Sequence, residues 1–134
     1  MNRLYRTVVL VAIGLSTATA LAHHSFAMFD NSRSVTLTGI VQRYQWTNPH
    51  GYLELHVPGG PDSKHYTLEL TSINMLSRAG WTSRTLHFGD KVTAMMAPLR
   101  DGQPGGLLLE LTLPTGKVMN VPVPNPQNYK RSRG

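Results

Sequence analysis

Between Tyr52 and Val57 the side chains alternate without a break. Leu53, Leu55 and Val57 fall on one parity, and Tyr52, Glu54 and His56 on the other. A period of two suits a half-buried β-strand and gives a helix no face to bury. Breakers bracket the run: Thr47–Gly51, with Asn48, Pro49 and His50, precedes it, and the Gly/Pro-rich stretch Pro58–Ser63 follows. A second run, Lys64–Leu70, sets Tyr66, Leu68 and Leu70 against His65, Thr67 and Glu69. Pairing these two runs as a hairpin with their apolar faces together places His56 beside His65 and Glu54 beside Thr67.

The rest of the chain can be read as closing a small barrel around this hairpin. Residues 35–46 form a first strand in which Val35 and Leu37 share one face while Ile40, Tyr44 and Trp46 have the opposite parity. That switch predicts a β-bulge at Gly39, bending a long strand. Upstream, Phe26 and Phe29 can pin residues 23–34 onto the barrel. After the third strand, Thr71 or Ser72 is a candidate N-cap, Ile73 and Leu76 make an apolar stripe, and Gly80 suits the end of a short helix. Trp81 is expected to plug the core behind that helix. Lys91–Ala97 is a fourth strand and Pro98–Gly106 a loop. A fifth strand is expected to carry Leu107, Leu109, Leu111 and Leu113 on one face, and Pro114–Gly116 turns into a short extension over 117–119.

This order predicts an all-β fold with one short helix, a five-stranded OB-like β-barrel with the helix between strands three and four. A five-stranded sandwich is the alternative. The expected organisation is a signal peptide over 1–22, the barrel domain over 23–119, and a Pro-rich basic tail over 120–134, extended and disordered.

Arg3 and Arg6, the uncharged run 7–15 and Ala20–Ala22 have the layout of a cleaved secretory signal, which implies an exported protein. The apolar run is too short to cross a bilayer, which takes roughly 20 residues, so no transmembrane segment is expected after processing. Cleavage after Ala22 is the main expectation and after Ala20 the alternative. The chain has no cysteine, which excludes disulfides and thiolate metal sites. Its net charge is +6, but Arg3, Arg6, Lys130, Arg131 and Arg133 lie at the two ends. Without them eight Lys/Arg face seven Asp/Glu, so specific nucleic-acid binding is not indicated.

The short motifs around these elements have a familiar order. Residues 22–30 (Ala-His-His-Ser-Phe-Ala-Met-Phe-Asp), Trp46–His50, Arg78–Trp81, Gly89–Thr93 and Pro98–Gly106 resemble DUF6152, a family of exported bacterial proteins of unknown function. The resemblance covers about residues 22–119. It implies a Gram-negative periplasmic setting and brings no reaction, cofactor or catalytic residue with it.

Three groups of residues can carry chemistry. Cleavage after Ala22 would make His23 the first residue and His24 the second, so that amine and imidazole nitrogens can chelate copper, with His50 as a possible third ligand. The plainer reading is a solvated arm. The outward face of strands two and three carries His56 and His65 beside Tyr52, Glu54, Thr67 and Glu69, and that face is the usual ligand platform of an OB barrel. Alternation demands a polar face there in any case. Trp46, Asn48 and His50 in the first turn can contact a ligand, although a core role for Trp46 and a backbone hydrogen bond for His50 are the simpler expectations. Trp46, Asn48, His50, Tyr52, His56 and His65 are thus the candidate ligand-binding residues. No enzyme motif occurs, neither a nucleophile elbow nor a zinc-protease or phosphate-loop signature. The reading is a non-enzymatic periplasmic binding or accessory module for an unknown small ligand or protein partner. A copper-binding protein is the runner-up, and an enzyme with a metal at the same histidines comes third.

Overall fold

The computed structural model describes residues 26–124. Its strands are β1 (Val35–Gln45), β2 (Tyr52–Val57), β3 (Lys64–Glu69), β4 (Lys91–Pro98), β5 (Gly105–Thr112) and β6 (Val118–Asn120), with one helix, α1 (Ile73–Arg78), between β3 and β4. Antiparallel pairing runs in the order β3-β2-β1-β4-β5-β6. The sheet then closes on itself, because the start of β5 pairs in parallel with β3 at Thr67↔Gly105, Leu68↔Gly106 and Glu69↔Leu107. β6 pairs with the other end of β5. Five strands closed in this order, with a helix between the third and fourth, make an OB-like barrel and rule out the open sandwich. Among the described residues no helix is long and apolar enough to cross a membrane.

The barrel interior is filled by the inward parity of each strand. Val41, Leu53, Leu55, Leu68, Leu70, Val92, Ala94, Met96, Leu108 and Leu111 are buried in one cluster. The hairpin register follows from this burial, with His56 opposite His65 and Glu54 opposite Thr67 as the alternation predicts. Helix α1 closes one end. The Ser72 hydroxyl accepts the Met75 N–H at 3.5 Å as its N-cap. At the other end the Gly80 N–H donates to Ser77 O and the Trp81 N–H to Leu76 O, both at 3.0 Å. This paired closure turns the chain sharply enough to drop Trp81 onto Leu76 in the core. The indole is buried, and its Nε1–H donates to the Asn120 carbonyl at 2.9 Å, so its polar atom is not stranded.

Asn120 and Val121, expected in the disordered tail, are instead packed on the barrel, Asn120 in β6 and Val121 buried. Two further features differ from the sequence expectation. The bulge in β1 is at Gln42, not Gly39: pairing with β4 runs evenly through Gly39↔Val92, and the register against β2 slips between Val41 and Arg43. Val41 is therefore the buried residue and Ile40 lies beside His56 on the outer face. Ile40 and Val41 are both apolar, so the parity switch could not be placed by pattern alone. Gly39 serves close packing instead. A Cβ there would lie 3.0 Å from the His56 carbonyl oxygen and 3.3 Å from the side chains of Leu55 and Val57.

The second difference is in β5. Its register against β4 passes from Met95↔Glu110 to Met96↔Leu108, leaving Leu109 as an extra residue. The single leucine face is thereby split. Leu108 and Leu111 enter the barrel, while Leu107 and Leu109 join Phe29 and Ala97 in a second cluster outside it. The N-terminal arm covers that cluster. Phe29 bridges to Leu99, the Asp30 N–H donates to Pro98 O at 2.8 Å, and the Arg100 N–H donates to Met28 O at 2.9 Å. From the other side the Val121 N–H donates to Leu109 O at 2.9 Å, and Val121 is itself buried. β5 also begins two residues early, at Gly105, so the Gly-Gly pair belongs to the strand and not to the loop before it.

Candidate functional site

The outer face of β1, β2 and β3 brings the predicted residues together in two groups. The first forms where the turn before β2 meets the end of β3. The Thr47 hydroxyl donates to His50 O at 2.9 Å, and the Leu70 N–H donates to Gly51 O at 2.8 Å. These bonds hold the half-buried His50 ring against β3. Its Nδ1 lies 3.3 Å from Leu70 O and 3.5 Å from Glu69 Oε1. Both neighbours are acceptors, which places a ring proton on Nδ1 between them. The expected backbone hydrogen bond of His50 is thus present, with a carboxylate beside it.

Glu69 stands opposite Tyr52 across the hairpin, and its side chain is only 15% exposed. The Tyr52 phenol is pushed above its usual range, by burial first and by the Glu69 charge second. It is therefore a hydroxyl donor at neutral pH. Glu69 is on the outward face named from sequence but not in its set of ligand-binding residues, although the register that pairs His56 with His65 also pairs Tyr52 with Glu69. Trp46 is half-buried, with its ring 6.1 Å from Tyr44 and tilted by 60°, at the edge of the core cluster. Asn48 is exposed in the turn, before the cis peptide to Pro49.

The second group is His56 and His65, directly paired, with ring centroids 4.9 Å apart and ring planes at 45°. It lies four residues along β2 from Tyr52, about 13 Å at the rise of a strand. The six candidates therefore fall in two separate groups. Between them, Glu54 receives the Gln45 amide at 3.3 Å and lies 3.9 Å from the Arg43 guanidinium. Among the described residues no group of three or more His, Asp or Glu is arranged to hold a metal. His23 and His24, the expected copper ligands, lie outside the described residues, as do the expected cleavage site and residues 125–134 of the tail.

Residues 10–109 match a family of unknown function, DUF6152. The chain belongs to DUF6152. The match begins before the region of resemblance read from the motifs and ends at Leu109, inside β5. It thus takes in both groups on the outer face. No curated protein matches the chain. For DUF6152, function has to be argued from the site itself.

Proposed function

We propose that this DUF6152 protein is a non-enzymatic binding module of the periplasm that holds a small polar ligand on the outer face of the barrel. The ligand sits where His50, Tyr52 and Glu69 converge. The observation that carries this reading is the Glu69 carboxylate, largely withdrawn from water on an otherwise solvent-facing sheet, with His50 and Tyr52 beside it. Desolvating a carboxylate is costly unless its neighbours compensate. The arrangement presents a phenol donor, an imidazole ring and a carboxylate acceptor within one small area, with Trp46 and Asn48 at its border. A ligand carrying both hydroxyl or amine donors and acceptor oxygens matches that set. An apolar cavity of about 490 Å³, lined by Met95, Leu109, Val121 and Val123 among others, has no comparable convergence of titratable groups.

The test is a nuclear magnetic resonance titration of the full chain with a small-molecule extract of the source cells. Amide shifts are expected to concentrate on residues 46–52 and on Glu69 to Thr71. Tyr52→Phe and Glu69→Gln should each weaken the response about tenfold, the loss of one hydrogen bond to a charged or buried partner. Shifts confined to the apolar cavity, or unchanged in both variants, would overturn the reading. The periplasmic assignment is checked by fractionating cells and sequencing the mature N-terminus, which is expected to begin at His23.

A further inference from the structure

We propose that His56 and His65 form a two-point chelate for a divalent transition cation, at a site separate from the His50–Tyr52–Glu69 cluster. The inference starts from ring geometry. A metal–imidazole nitrogen bond of about 2.0 to 2.1 Å puts the metal about 3.2 Å from each ring centroid. Two rings sharing one metal then have centroids about 4.5 Å apart at a right-angled coordination angle and about 5.2 Å apart at a tetrahedral one. The observed separation of 4.9 Å falls between these values.

Three further observations fit a cation there. The His56 Nδ1 is buried and has no hydrogen-bond partner, so this polar atom is left unsatisfied in the folded chain. The pairing is fixed by the continuous β2–β3 ladder from Tyr52↔Glu69 to Val57↔Lys64, which holds the two Cα atoms opposite each other before any metal arrives. The surroundings are also compatible: Glu54 and Thr67, also directly paired, are the next residues along this face, and the Glu54 carboxylate is already shared with Gln45 and Arg43. Two imidazoles with water completing the shell select cations that prefer nitrogen, Cu(II), Ni(II) and Zn(II), over Mg(II) and Ca(II), which prefer oxygen.

The experiment is a titration of the full, processed chain with Cu(II) and Zn(II), with Mg(II) as the control. Three variants accompany it: His56→Gln, His65→Gln, and the double variant His23→Gln/His24→Gln. Zinc is expected to shift the ring resonances of His56 and His65 together. Either single substitution on the sheet should weaken that event at least tenfold, while the N-terminal double variant leaves it in place. Tyr52→Phe should also leave it unchanged, so a failure of the polar-ligand reading is distinguishable from a failure of this one. Metal binding that survives both His56→Gln and His65→Gln, or that disappears only in the N-terminal variant, would overturn the proposal. Should a variant fold poorly, the ring shifts in the unaltered chain decide. If they are absent at saturating zinc, the chelate does not exist.

Discussion

Tyr52 shows how one side chain on a solvent-facing sheet can acquire unusual chemistry. Its phenol is favoured in the neutral form by burial and by the Glu69 charge, so its folded pKa lies above its unfolded value near 10. A group raised in this way contributes stability below its unfolded pKa and loses it as the pH climbs through the folded one. An alkaline ultraviolet titration of the native protein should therefore contain a component that ionises above pH 10 and is absent from Tyr52→Phe. In Glu69→Gln that component should move toward the ordinary tyrosine value. Tyr44, raised by burial, supplies a second late component that persists in both variants. Loss of an ordinary component in Tyr52→Phe would show that the phenol is not shielded. At this scale the sequence was informative about positions and silent about environments. The alternation in 52–57 and 64–70 put Tyr52, His56, His65 and Glu69 on one face. It could not show that Glu69 is withdrawn from water, because that depends on how the His50 turn folds back over it.

Among the elements, the N-terminal arm carries more weight than its irregular sequence suggests. Phe29 is buried against Leu107, Leu109 and Ala97 on the outside of the barrel. Phe29→Ala should cost about 3 to 5 kcal/mol in urea unfolding, the usual range for removing a buried aromatic ring. Phe26→Ala, from a partly buried position on the same cluster, should cost much less, about 1 kcal/mol. A loss below about 1 kcal/mol in Phe29→Ala would mean that the arm is not part of the cooperative unit. Phe26 and Phe29 were legible in the sequence as pins. Their docking site was not, because the leucine run of β5 reads as one continuous alternation. Leu109 is bulged out of the ladder, and this sends Leu107 and Leu109 outward for the arm to cover.

For the whole molecule the decisive contact is the parallel pairing that joins β5 to β3. It runs through Gly105 and Gly106, where there is no room for a side chain: a Cβ on Gly106 would collide with the Ala97 carbonyl, and one on Gly105 would come within 2.9 Å of the Thr67 carbonyl oxygen. Gly106→Ala should lower stability by about 1 to 3 kcal/mol or more through forced separation of β5 from β4. Hydrogen exchange should speed up first at Leu68 and Glu69 across the seam. Gly102→Ala, in open space at φ +78°, should cost only about 1 kcal/mol from backbone strain and leave the seam protected. Equal effects of the two substitutions would show that the closure is not tightly packed. The sequence by itself determined the strand order, the hairpin register, the helix and the burial of Trp81. Each of these rests on local periodicity, turn chemistry or capping, which neighbouring residues specify. Only the tertiary structure decided where β1 and β5 bulge, which leucines face outward and that Glu69 lies beside His50. Those outcomes depend on strands far apart in the chain meeting at the closing seam, and a one-residue shift in an apolar run leaves the pattern of residues unchanged while reversing the face each one occupies.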